Sequence, residues 1–134
     1  MRTAVDSSVL LDVLTADRAF GDRSLRALKD AYSAGSVVAG EIVWAEVRAQ
    51  FGDDLSFEAA MKTLGVGFHP SSSEASRLAG ALWREHRRRS KAKRDRVVAD
   101  FLVGAHALVG ADSLLTRDRG FYRDYFKALK IIEP

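Results

Sequence analysis

Short β-branched or apolar runs alternate along the chain with longer stretches of helical period, and that alternation leaves few folds open. Thr3-Ala4-Val5, Val37-Val38-Ala39, Val66-Gly67-Phe68, Ser113-Leu114-Leu115 and Ile131-Ile132 read as strands. Apolar runs this short, bounded by turn residues, suit strands covered on both faces, as in a parallel sheet. Between them, Phe57, Ala60, Met61 and Leu64 recur at helical spacing behind a cap expected at Ser56. Ala75, Leu78, Ala79, Leu82 and Trp83 do the same behind Ser71 and Glu74, which are spaced as a capping box. Strands alternating with helices predict right-handed βαβ units around one central parallel sheet. Ligands of such sheets bind beyond the carboxyl ends of the strands, so a functional site is expected there.

Nothing in the bulk properties argues against a compact enzyme. The 134 residues show no repeat and no linker, and are expected to form one domain. With 47% hydrophobic and 29% charged residues, the balance is that of a globular chain. Absence of cysteine rules out disulfides and thiolate metal sites and suits a reducing cytoplasm, the expected location. The N-terminus reaches Asp6 too soon for a signal peptide, and the apolar stretch from Val97 to Ala111 is too short to span a bilayer. Net charge is +3, but residues 84–96 hold eight Lys/Arg against Glu85 and Asp95. A local positive field of this kind is what phosphate-backbone binding needs, so Arg87, Arg88, Arg89, Lys91, Lys93 and Arg94 are candidate nucleic-acid contacts. A solvated charge run, or a surface for a protein partner, is the alternative.

Four carboxylates stand out from the other acidic residues. Asp6 follows the first strand directly, where it could cap a helix but also faces the ligand edge of the sheet. On a helical wheel Glu46 lies between Ile42 and Val43, and an apolar stripe disfavours a carboxylate unless it is paired, protonated or metal-bound. Asp100 sits in a helix that is apolar on nearly every side, with Val103, Gly104 and Ala107 one to two turns on. The small residues among these would leave room beside the carboxylate. Asp118 lies just past the fourth strand, with Thr116 on the same turn to support it by hydrogen bonding. Carboxylates gathered in this way repel one another unless a cation offsets them. Oxygen-only ligation suits Mg²⁺ or Mn²⁺. His106 is read as a hydrogen-bonded core histidine, and Asp12, Asp17, Asp22, Asp53, Asp54, Asp112 and Asp124 as surface.

At these residues the chain resembles the PIN-domain nucleases, especially VapC-type toxins of toxin–antitoxin pairs. Val5-Asp6-Ser7-Ser8-Val9-Leu10 is similar to the family's opening motif, and Trp44-Ala45-Glu46-Val47 to its Ala-Glu segment. The most specific parts are Ala99-Asp100-Phe101-Leu102-Val103-Gly104-Ala105-His106-Ala107 and Leu115-Thr116-Arg117-Asp118-Arg119-Gly120-Phe121-Tyr122. The resemblance implies that Asp6, Glu46, Asp100 and Asp118 form the metal site, supported by Ser8 and Thr116. It also implies a three-layer α/β/α PIN-like fold, related to the Rossmann arrangement, with homodimers and silencing by an antitoxin protein. Gly40-Glu41 departs from the family, whose members are usually less acidic there, and leaves open whether Glu41 also faces the site.

The chemistry expected is metal-dependent hydrolysis of RNA phosphodiester bonds, with Glu46 either ligating a second ion or orienting water. A structure-specific DNA nuclease of the same fold and a catalytically silent RNA-binding module are the alternatives. A phosphoaspartate enzyme is disfavoured, because Asp6 lacks a second Asp two residues on.

Overall fold

The computed structural model describes residues 1–89 and 97–134. Five strands, β1 (Arg2–Val5), β2 (Ser36–Ala39), β3 (Gly67–Phe68), β4 (Ser113–Leu115) and β5 (Ile131–Ile132), form one sheet in the order β3-β2-β1-β4-β5. Every pairing is parallel. The helices are α1 (Ser7–Leu14), α2 (Gly21–Ala34), α3 (Glu41–Arg48), α4 (Asp54–Leu64), α5 (Ser73–Arg89), α6 (Val98–Gly110) and α7 (Arg119–Tyr125). The expected three-layer α/β/α architecture is the one observed. Among the described residues no helix is long and apolar enough to cross a membrane.

Burial follows position in the sheet. The central strands β1, β2 and β4 present buried residues on both faces, as their unbroken apolar runs require. At the edge, both residues of β3 are exposed, because only one neighbour covers that strand. Aromatic residues fill the space between α5, α6 and α7: Phe101 is fully buried and meets the rings of His86, Phe121 and Tyr125 at centroid distances of 5.5, 5.1 and 5.0 Å.

Several local expectations are corrected. Helix α4 starts two residues earlier than Ser56, with Asp53 as its cap accepting from Ser56 N at 2.7 Å. Its far end is closed by Gly65, whose φ of 70° is the left-handed conformation that a residue with a Cβ resists. Helix α5 is opened by Ser72, whose Oγ accepts from Ala75 N at 3.1 Å, and not by Ser71. Ser71 instead donates through its N and Oγ to Glu41, at 3.1 and 2.9 Å. Gly104 makes room for no ligand: a Cβ there would stand 2.3 Å from the Phe126 ring, so the small residue lets α6 close on a core aromatic.

Asp12 is the largest correction. It is 4% exposed rather than on the surface. Its position three residues after the buried Val9 puts it on the inner face of α1. The charge is met by Arg117, 105 residues away, through Nε at 2.8 Å and Nη2 at 3.1 Å, with Ser24 Oγ donating at 2.8 Å.

Candidate active site

Strand β1 leads to β2 on one side and is joined by β4 on the other, so the sheet reverses its winding between β1 and β4. Chain segments leaving two such strands diverge to opposite sides and open a crevice at their carboxyl ends. The β1–β4 register pairs Val5 with Leu115, and Asp6 N extends the ladder by donating to Leu115 O at 2.9 Å. Asp6 and Thr116 are thereby fixed side by side. Thr116 is fully buried; its Oγ1 donates to Asp6 Oδ2 at 2.8 Å and accepts from Asp118 N at 3.0 Å. One hydroxyl thus ties the first carboxylate to the loop that carries the last.

The other oxygen of Asp6 caps α1, accepting from Ser7 N at 2.8 Å. Both sequence readings of Asp6 therefore hold at once. Asp118 occupies the N-cap position of α7 without a side-chain capping bond. Asp100 lies in the first turn of α6, where its carboxylate accepts from Val97 N at 3.2 Å and the positive end of the helix favours negative charge. Glu46 is exposed rather than embedded in an apolar stripe. The stripe passes through Val43 and Val47, and Ser7 Oγ donates to Glu46 Oε1 at 3.2 Å.

All four predicted carboxylates line one cavity of about 350 Å³, together with Ser8, Val103, Arg117 and Tyr122. Sequence reasoning missed Ser7, Arg117 and Tyr122. Ser7 and Tyr122 fall within the matching segments, but nothing in their spacing gives them a role. Glu41 and His106 lie elsewhere: Glu41 is held by Ser71, and His106 Nε2 is 3.0 Å from His69 Nδ1. Of the basic stretch, Arg87 and Arg89 lie over the rings of Trp83 and Tyr125, at 4.6 and 5.6 Å, and Arg88 is exposed. Lys91, Lys93 and Arg94 lie outside the described residues.

Among the described residues that line the cavity, four are carboxylates and one, Arg117, is basic. Burial pushes the Asp6 carboxyl above the ordinary carboxylate range; hydrogen bonds from Thr116 and Ser7 oppose this, and the charges of Asp118 and Asp100 add to it. Glu46 is raised too, by partial desolvation and then by Asp6 and Asp100, against the bond from Ser7. Among the described residues no three His, Asp or Glu side chains already converge closely enough to hold a metal ion. The donor set nevertheless fits a hard divalent cation. It is all oxygen, its charges repel, and Ser8 Oγ, buried at the cavity wall, has no hydrogen-bond partner among the described residues.

Residues 3–127 match the PIN domain. The chain belongs to the PIN domain family. Several solved structures share its fold. One is the VapBC2 complex of Rickettsia felis bound to a promoter DNA fragment, with TM-score 0.72 and 15% identity over 99% of this chain and 98% of that one. Another is VapBC-1 of nontypeable Haemophilus influenzae, with TM-score 0.68 and 16% identity over 99% and 98%. VapC20 of Mycobacterium tuberculosis, described as a sarcin–ricin loop cleaving toxin, gives TM-score 0.53 and 17% identity over 84% and 86%. At such identities the likeness speaks for the fold. No curated protein matches by sequence. The resemblance to PIN domains read from the motifs is therefore met, and the family supports a nuclease.

The raised Asp6 carboxyl gives the metal-free PIN domain a definite pH response. Its folded-state value lies above the ordinary 3.8, so the native state holds that proton more tightly than the unfolded chain. Stability from this group rises as pH falls through the raised value, and levels off below 3.8. In EDTA, Asp6→Asn should melt above wild type at neutral pH, with the gap closing on acidification. Burial lowers His106 below its ordinary 6.5, so both proteins should lose stability together below that pH. Coincident melting points for the two proteins at neutral pH would contradict the Asp6 assignment.

Proposed function

We propose that this PIN domain is a divalent-metal-dependent endoribonuclease and the toxin of a toxin–antitoxin pair. One observation carries the reading: carboxylates from four separate segments, Asp6, Glu46, Asp100 and Asp118, line a single cavity at the ends of β1 and β4. Neither helix capping nor internal ion pairing explains that convergence. The toxin role is supported by relatives solved as toxin–antitoxin complexes, including one from Klebsiella pneumoniae with TM-score 0.62. The antitoxin partner, a homodimeric state and a cytoplasmic location belong to the same reading.

Asp6, Asp100 and Asp118 would hold Mg²⁺ or Mn²⁺, with Glu46 at the mouth. Bound there, the cation would make a water more acidic and draw charge from a phosphoryl oxygen. The chain's own groups supply the rest. Ser7 Oγ steadies Glu46 through Oε1, leaving Oε2 to orient the attacking water and take its proton. A raised carboxyl value makes Glu46 a better base for that step. Water oxygen bonds to phosphorus as the bond from phosphorus to the 3′-oxygen breaks; the departing 3′-oxygen takes a proton from solvent, giving a 5′-phosphate and a 3′-hydroxyl. Thr116 keeps Asp6 and the Asp118 loop in register throughout. Arg87, Arg88 and Arg89 offer positive charge to the strand beyond the cavity.

The test is cleavage of labelled RNA and DNA oligonucleotides with Mg²⁺, Mn²⁺ or EDTA. RNA should be cut only with metal; cutting of DNA alone would transfer the activity to that substrate. Thermal melts provide a second readout. Metal at a hundred times its Kd stabilises the native state by about 2.7 kcal/mol, and Asp100→Asn should shrink that gain. Identical wild-type melts with and without metal would overturn the site.

A further inference from the structure

The cavity presents four carboxylates to a substrate that is itself a polyanion. Among the described residues lining it, Arg117 carries the only positive charge. Its placement is over-determined. Nε and Nη2 grip both oxygens of Asp12, Ser24 Oγ braces Asp12 Oδ2, and the guanidinium carbon lies 4.1 Å from the centre of the Phe20 ring. The Arg117 side chain is still 33% exposed, while that of Asp12 is only 5% exposed. Nη1 takes no hydrogen bond among the described residues, so its two N–H groups remain to donate.

As a stabilising device this pair is poorly chosen. Burying Asp12 forfeits its hydration, and an ion pair of this kind is often no better for stability than apolar groups of the same volume. As a way of holding one cation at the wall of an acidic cavity, it makes physical sense. Resting on the nuclease reading above, we propose that Arg117 is a phosphate-binding residue of the site. Nη1 receives a non-bridging oxygen of the RNA backbone while Asp12, Ser24 and Phe20 keep the guanidinium in place. Asp12 is then a positioning residue, acting through Arg117. A planar, forked guanidinium can hold a carboxylate with one edge and a phosphate with another; an ammonium at the same place cannot.

The experiment separates function from folding by removing both charges together. Asp12→Leu/Arg117→Met leaves no buried charge unpaired and should melt close to wild type. Binding of a single-stranded RNA oligonucleotide is measured across salt concentrations in an Asp6→Asn background, so that no strand is cut. The double replacement should lower the slope of log K against log salt by about 0.7, the share of one phosphate on a single strand. With Asp6 restored, cleavage should fall on the order of 100-fold, as when one transition-state donor is lost. Arg117→Lys should recover the melting point better than the cleavage. An unchanged salt slope and wild-type cleavage in the folded double variant would overturn the proposal and leave a structural ion pair. Because the binding arm needs no catalysis, a wild type that cuts no RNA would sink the nuclease reading without deciding this one.

Discussion

Asp6→Asn is expected to abolish RNA cleavage while leaving the fold intact. Asn keeps the shape and caps a helix about as well as Asp, so α1 retains its start at Ser7. What it removes is the negative charge that a cation would bind at the junction of β1 and β4. Loss of several kcal/mol of transition-state stabilisation corresponds to roughly a thousandfold or more in rate. Expressed without an antitoxin, wild type should arrest bacterial growth and Asp6→Asn should not. Asp53→Asn is the control: Asp53 is an exposed cap of α4 and does not line the cavity, and Asn can take its place. Cleavage at the wild-type rate by an Asp6→Asn protein of native circular dichroism would return the four carboxylates to structural roles.

Phe101→Ala should do the opposite, weakening the fold and sparing the chemistry. The ring is fully buried, next in sequence to Asp100, and bridges His86 of α5 to Phe121 and Tyr125 of α7. Truncating a buried Phe costs about 3–5 kcal/mol through lost transfer energy and the cavity left behind. For a chain of this size the melting temperature should drop by roughly 10–20 °C. Phe101→Leu, which refills most of the space, should lose far less. Held well below its lowered midpoint, the Ala variant should still cut RNA with metal present. A melting point within a few degrees of wild type would show that the aromatic cluster does not hold these helices together.

The sequence carried the architecture because parallel sheets impose a strong local signature. Val37-Val38-Ala39 and Leu114-Leu115 are buried on both faces and cannot tolerate the polar alternation of a one-sided sheet. Asp6 and Asp118 were legible because each falls one to three residues past such a strand. Glu46 was placed in the cavity on an argument that fails, since its side chain is exposed and the apolar stripe of α3 runs elsewhere. Its motif, and not its burial, pointed the right way. Asp12 shows where local reading stops. Its counter-charge comes from 105 residues downstream, and no pattern within α1 announces it. Gly104 misled for a similar reason, because the Phe126 ring that fills its space belongs to a distant segment.

The hydroxyl bond between Thr116 and Asp6 joins residues 110 positions apart, each just past one of two strands that neighbour each other at the centre of the sheet. A ribosome making this chain releases Asp6 early, yet β1 lacks its β4 neighbour until residue 115 has cleared the exit tunnel. Pairings so distant in sequence form slowly, because a long loop must close before they can be made. A nascent or truncated chain that ends before β4 has Asp6, Glu46 and Asp100, but it lacks Asp118, Thr116 and the crevice that gathers the four carboxylates. Any cutting activity is therefore withheld from the polypeptide for as long as β4 is missing.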